Sequence, residues 1–234
     1  TVPLSGRILG VAKSGGAIET LVANAASPRV VELAGNGALV YADGVIDYLP
    51  GSVSGIYRRT TTGSIQPVVG GIAGRGPIAV DGTHVYVSEG WWLKRVPRAG
   101  GTPSVVSQGS FYITALDLDA THVYWVEDDL GTVRRAPLAG GVPTFLSSGN
   151  GKPFDLKVRG GTVYWLLGLD KLLKVPVTGG TAETLASGLR AAEALVVDDS
   201  FAYFTESDAG QLSKVATAGG AVAPVGSIAG GLMW

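Results

Sequence analysis

A chain that repeats one short motif at near-constant spacing must fold as a set of like modules, and this chain does so from end to end. The unit is clearest in Val123-Tyr124-Trp125, followed by Gly131-Thr132-Val133-Arg134-Arg135 and by Pro137-Leu138-Ala139-Gly140-Gly141. It recurs from Val85-Tyr86 to Gly101, from Val163-Tyr164-Trp165 to Gly180 and from Ala202-Tyr203-Phe204 to Gly220, and a looser copy opens at Val40-Tyr41. The first glycine of the closing turn, or its equivalent, falls at Gly15, Gly63, Gly100, Gly140, Gly179 and Gly219, at spacings of 48, 37, 40, 39 and 40. A further 30 residues run from Gly219 through both chain ends to Gly15, so the 234 residues divide into six units of 39 on average.

Within a unit, apolar residues alternate with period two in short runs bounded by Gly, Pro, Asp or Ser, which is the pattern of strands joined by tight turns. In the fourth copy the runs predict strands at Phe154 to Val158, Thr162 to Leu167, Lys171 to Pro176 and Thr181 to Ala186, and no helix of useful length. Four antiparallel strands make one propeller blade, and a blade cannot bury both its faces alone. The reading is an all-β, six-bladed β-propeller forming a single domain over residues 1–234. Residues 1–16 align with Val126 to Gly141 without a gap, so the chain begins in the middle of a blade. Residues 228–234 are then expected to supply the inner part of the blade whose outer strands lie within residues 1–24, leaving no open sheet edge.

The Tyr-Trp pairs at Tyr124-Trp125 and Tyr164-Trp165, in register with the glycine anchors, resemble the repeats of lipoprotein-receptor propellers. There is a looser similarity to propellers of the lactonase and gluconolactonase type. The first resemblance covers the whole chain and implies the fold. The Thr-Asp that follows Tyr-Trp in the receptor repeats is replaced here by Val126-Glu127 and Leu166-Leu167, so no functional residue is carried over from it.

Composition narrows the function classes. Lys and Arg number 18 against 19 Asp and Glu, with no dense basic stretch, which excludes a phosphate backbone or an anionic membrane as partner. The absence of cysteine excludes disulfides, thiol catalysis and Cys-bound metals. A start at Thr1 is explained equally by processing of a secreted or periplasmic protein, which is the localisation expected, and by a piece cut from a longer chain; a self-closing ring is expected to be monomeric.

The repeat also separates scaffold from site, because a residue recurring at one register in most blades serves the architecture. Arg58, Arg95, Arg135, Lys174 and Lys214 recur five positions before the glycine anchor and are expected to reach across to a neighbouring blade. His84 and His122 sit at matching positions before Val-Tyr and are expected to line turns, while Trp125 and Trp165 are expected to pack between blades. No Gly-x-Ser-x-Gly elbow or phosphate-binding loop occurs.

The interval from each Tyr to the next glycine anchor varies most in length, and it holds the loop between the second and third strands. Variable loops on a rigid scaffold are where binding is built. That face is expected to carry Asp43, Asp47 and Tyr48 from the first blade and Glu89, Trp91 and Trp92 from the second. From the third it takes Glu127, Asp128 and Asp129, and from the fifth Glu206 and Asp208. Glu89, Trp91, Trp92, Asp128, Asp129, Tyr48 and Asp47 are the ligand-binding candidates, because an aromatic face beside carboxylates suits a sugar ring or a protein anchor.

At the start of the innermost strands, Glu32, Asp155 and Glu193 occupy comparable registers, and Asn150 precedes Asp155. Converging oxygen ligands suit Ca²⁺ or Mg²⁺, which would polarise a phosphoryl or lactone oxygen. The lactonase-type resemblance implies such a metal at the top of a central tunnel. Two function classes therefore stand: recognition of a small molecule, glycan or protein on the variable-loop face, and metal-dependent hydrolysis of phosphoesters or lactones.

Overall fold

The computed structural model describes residues 6–10, 17, 19–25, 28–33, 39–43, 55–70, 76–109, 111–128, 131–148 and 151–227. These residues form strands and tight turns, with one turn of 3-10 helix at Ser207–Ala209. A two-stranded antiparallel sheet comprises β1 (Gly6–Gly10) and β2 (Glu19–Ala25). Sheet 1 follows with β3 (Pro28–Leu33), β4 (Leu39–Asp43), β5 (Gly55–Arg59) and β6 (Ile65–Gly70), and sheet 2 with β7 (Ile78–Val80), β8 (His84–Glu89), β9 (Trp92–Pro97) and β10 (Ser104–Gln108). Sheet 3 holds β11 (Ile113–Leu118), β12 (His122–Glu127), β13 (Thr132–Pro137) and β14 (Thr144–Ser148). Sheet 4 holds β15 (Pro153–Arg159), β16 (Thr162–Leu167), β17 (Lys171–Pro176) and β18 (Glu183–Ser187), and sheet 5 holds β19 (Ala192–Val197), β20 (Phe201–Glu206), β21 (Gln211–Ala216) and β22 (Ala223–Ser227). Strands pair in chain order within every sheet, so each is a meander. The strands expected for the fourth copy are sheet 4, to within two residues at either end. Residues 228–234, expected to complete the closing blade, lie outside the described residues.

The chain forms two compact units, Thr1–Val105 and Val106–Trp234. Within the second unit the Val-Tyr-Trp motif sorts its side chains between the two faces of a strand, as alternation requires. In β16, Val163, Trp165 and Leu167 pack back on Tyr124, Val126, Val133 and Leu146 of sheet 3. The intervening Tyr164 and Leu166 pack forward on Leu195, Ala202, Phe204 and Val215 of sheet 5. Both faces of the sheet are thus buried, and Trp125 and Trp165 are wholly buried. The first unit obeys the same rule on a smaller scale, with Ile56 and Val68 of sheet 1 against Ile78, Val85, Val87 and Val96 of sheet 2.

The recurring glycines are explained by the turn between the third and fourth strands. Gly100, Gly140 and Gly179 each donate their N–H to the carbonyl of Pro97, Pro137 and Pro176 respectively, at 2.8 Å. Their φ values are +95°, +94° and +90°, and the glycines after them stand between +141° and +151°, a region that side chains rarely enter. This turn also touches the preceding sheet: Gly180 N–H donates to Leu146 O at 3.2 Å, and a Cβ on Gly179 would lie 3.4 Å from the same oxygen. The basic residues of the third strands reach the opposite way. Arg58 Nη1 donates to Arg98 O at 3.1 Å and Lys174 Nζ to Thr217 O at 3.1 Å, each carbonyl belonging to the turn of the next sheet.

Gly179→Ala is expected to lower stability by about 1–3 kcal/mol, the cost of a forbidden backbone conformation. Gly82→Ala, at an open position without that backbone demand, is expected to change stability by less than about 0.5 kcal/mol. Urea unfolding of both variants checks the contrast.

Candidate functional site

In the second unit, backbone hydrogen bonds fasten the loop after each second strand to the residues that enter the first. Asp128 N–H donates to Tyr112 O at 2.9 Å, Gly168 N–H to Lys152 O at 2.7 Å and Ser207 N–H to Ala191 O at 3.1 Å. The variable loops and the strand entries therefore share one end of each sheet.

At that end the first strands are irregular. Ile113 pairs with Glu127 and Ala115 with Val126; Pro153 pairs with Leu167 and Leu156 with Trp165; Ala192 pairs with Glu206 and Leu195 with Phe204. One surplus residue per strand makes a β-bulge, which re-aims side chains at the strand entry. The surplus falls at Thr114, at Phe154 and Asp155, and at Glu193 and Ala194. Strict alternation would put Phe154 on the buried face with Leu156; the bulge instead leaves Phe154 38% exposed while Leu156 is wholly buried.

Asp155 and Glu193, two of the four candidate metal ligands, have other partners here. Asp155 Oδ1 accepts the N–H of Leu156 at 2.8 Å, and Oδ2 accepts the N–H of Leu195 in the next sheet at 2.8 Å. Asp117 repeats the device, accepting from Leu118 at 2.9 Å and from Val158 of the next sheet at 2.8 Å. These carboxylates clip neighbouring first strands together. Glu193 Oε1 accepts the Ser207 hydroxyl at 3.2 Å. Glu32 lies in β3 opposite Val40, and Asn150 lies outside the described residues. Among the described residues, no three His, Asp or Glu side chains converge as a metal site would require.

Of the ligand-binding candidates, Trp91 occupies the tip of a two-residue hairpin turn with Gly90 (φ +64°) and is 48% exposed, while Trp92 is half-buried. Glu89 is paired with Lys94. Asp128 stands 3.6 Å from the exposed Lys152 ammonium. Asp47, Tyr48 and Asp129 lie outside the described residues. Two expected rim acids are not on the rim: Glu127 is wholly buried and Glu206 is 4% exposed. Their side chains fold back along the sheet. Glu127 accepts from Trp125 Nε1 at 3.1 Å and pairs with Arg134 at 3.3 Å. Glu206 accepts from Gln211 Nε2 at 2.9 Å, the Arg190 N–H at 2.9 Å and the Ser213 hydroxyl. Glu89 takes the same register at the end of its second strand, so the acid recurs and serves the scaffold. The residue that the sequence does not single out is Tyr112, 65% exposed one position before β11. Its signal is its register, matching that of Lys152 before β15.

The opposite sheet end carries a turn motif, Asp-x-Thr-His-x-Tyr. Asp119 Oδ1 accepts from the Thr121 N–H, the Thr121 hydroxyl and the His122 N–H at 2.7–2.8 Å, and Oδ2 accepts the Tyr124 hydroxyl at 2.5 Å. Asp81, Thr83, His84 and Tyr86 repeat it. Because the Thr hydroxyl donates to Asp, it accepts from His Nδ1, at 2.7 Å in one motif and 2.8 Å in the other. The histidines line turns, as expected. Burial alone would raise the Asp119 carboxyl, but hydrogen bonds from Tyr124, Thr121 and His122 outweigh it and hold the group below its ordinary value. Burial, then the hydrogen bond to Asp119 and its charge, push the Tyr124 phenol up to about 12.

The repeated two-faced meanders define a class, the six-bladed β-propeller, and solved structures bear this out. No protein-family model matches the sequence, and comparison with curated proteins finds no relative. The chain is similar to one from the crystal structure of a nidogen/laminin complex, with 14% identity over 92% of this chain and 88% of that one and a TM-score of 0.71. It is also similar to the virginiamycin B lyase of Staphylococcus aureus, with 14% identity over 97% and 78% and a TM-score of 0.74. A streptogramin B lyase matches at 13% identity over 93% and 75%, with a TM-score of 0.75. These neighbours are six-bladed propellers, and the likeness establishes the fold.

The turn motif predicts a two-sided pH profile. A depressed Asp119 contributes stability that is present above about pH 4 and is lost as pH falls through its folded value. A raised Tyr124 contributes stability that is full below about pH 10 and is lost as pH climbs toward about 12. The buried Asp117, raised by burial, acts in the opposite sense on the acid side, adding stability as pH falls through its folded value. Thermal melts across pH should show a shallower acid limb in Asp119→Asn and a shallower alkaline limb in Tyr124→Phe.

Proposed function

We propose that the chain is a recognition propeller that binds its ligand, a glycan or a protein, at the loop end of its sheets. One contrast carries the reading. Asp155 and Glu193 at that end accept from the protein's own donors, whereas aromatic side chains there face solvent: Tyr112 is 65% and Trp91 48% exposed. Asp155 turns each oxygen to a backbone N–H, one of its own strand and one of the next sheet, and among the described residues no three His, Asp or Glu side chains converge on a position a cation could take. The hydrolase reading has less support for that reason. The two lyases among the structural neighbours share the fold at 13–14% identity, which carries no activity across.

Asp155→Ala separates the readings. As a clip, its removal orphans the N–H groups of Leu156 and Leu195 and is expected to cost about 1–3 kcal/mol for each donor left buried and unsatisfied. The wild-type protein is expected to show no rise in melting temperature with millimolar Ca²⁺. A Ca²⁺-dependent turnover of a lactone or phosphomonoester that disappears in Glu193→Ala would overturn the recognition reading. Screened against glycans and extracellular proteins, the wild-type chain is expected to retain a ligand that Tyr112→Ala or Asp128→Ala releases.

A further inference from the structure

Resting on the recognition reading, we infer that the entry to sheets 3 and 4 is a subsite for an uncharged pyranose, formed by Tyr112, Phe154, Asp128 and Lys152. Tyr112 and Phe154 stand at the entries of adjacent first strands, and the Thr114 hydroxyl, donating to Pro153 O at 3.3 Å, joins the backbones that carry them. Both rings are exposed by backbone devices that hold them in place: Phe154 by the β-bulge, and Tyr112 by the Asp128 N–H that fixes its carbonyl at 2.9 Å. An exposed ring on a fixed backbone loses little freedom when something stacks on it.

Two observations select the ligand class. The groups fixed beside the two ring-bearing positions are polar: the Asp128 N–H holds the Tyr112 carbonyl, and Lys152, two residues before Phe154, pairs with Asp128. A protein interface needs a hydrophobic core of some breadth, about 800 Å² per partner in all, whereas a sugar needs one apolar ring face and hydrogen-bonding groups beside it. The charge is also balanced. Lys152 Nζ stands 3.6 Å from Asp128 Oδ1, so an anionic ligand would lose against Asp128 what it gains from Lys152, while neighbouring sugar hydroxyls can donate to the carboxylate and accept from the ammonium. The chemistry fits a neutral sugar over a sialylated or sulfated one.

The test is an array carrying neutral glucose-, galactose- and mannose-terminated oligosaccharides beside sialylated and sulfated ones, probed with the full chain. Neutral glycans are expected to bind, with affinity falling about tenfold in Tyr112→Ala and in Phe154→Ala and largely kept in Tyr112→Phe, which preserves the stacking face. Phe145→Ala, at an exposed aromatic on an outer strand, should leave binding unchanged, and unaltered melting of each variant establishes that it is folded. Binding confined to sialylated or sulfated glycans overturns the inference. An array blank for the wild type also overturns it, and capture of a protein ligand that Trp91→Ala releases would then leave the recognition reading standing without the sugar.

Discussion

Two-faced burial is the constraint on which the other features depend. A β-strand turns successive side chains to opposite sides, and in sheet 4 both sides are apolar: Tyr164 and Leu166 face one neighbour, Val163, Trp165 and Leu167 the other. Such a sheet exposed on either face would be an aggregation hazard, so it must stand between two others of its kind. The Val-Tyr-Trp motif is the shortest statement of that requirement, since it places large rings in consecutive positions and sends them in opposite directions. The junctions between sheets are then finished by polar devices of low multiplicity, a carboxylate clip at the first strands and a glycine turn or basic side chain at the outer ones.

The architecture was legible because it depends on recurrence, and recurrence is visible in one sequence. The strands of sheet 4, the turn-lining histidines, the buried Trp125 and Trp165 and the reach of Arg58 and Lys174 across sheet junctions all come from register alone. The Asp-x-Thr-His-x-Tyr turns recur in the same way at Asp81 and Asp119, and Asp198 keeps the N–H contacts with Ser200 and Phe201 in place of Thr and His.

The candidate site was less legible, and the reason is geometric. Glu127 and Glu206 close their second strands, where the last residue of a strand and the first of a loop cannot be told apart by composition; their burial depends on partners such as Arg134 and Ser213 on the paired strand. A bulge is invisible to alternation, so Phe154 reads as core by its spacing from Leu156 and is in fact turned outward. Asp155 is the converse case: its register near the strand entry suggested a ligand, but one of its oxygens meets a backbone N–H forty residues away in the chain. In sheet 4 a recurring partner is dropped, and the loss is visible in the core. Leu167 stands where sheet 3 has Glu127, and the indole N–H of Trp165 is left without an acceptor.

The surplus residue at the strand entries of sheets 3, 4 and 5 has a wider consequence. Because it lies outside the alternating ladder, its side chain can be exchanged without repacking the layers on either side. Thr114, Phe154 and Glu193 already differ in size, polarity and charge on closely similar frames. Each of these three modules thus offers an interchangeable slot, and a lineage of such chains can acquire new specificities one module at a time while the interior stays constant.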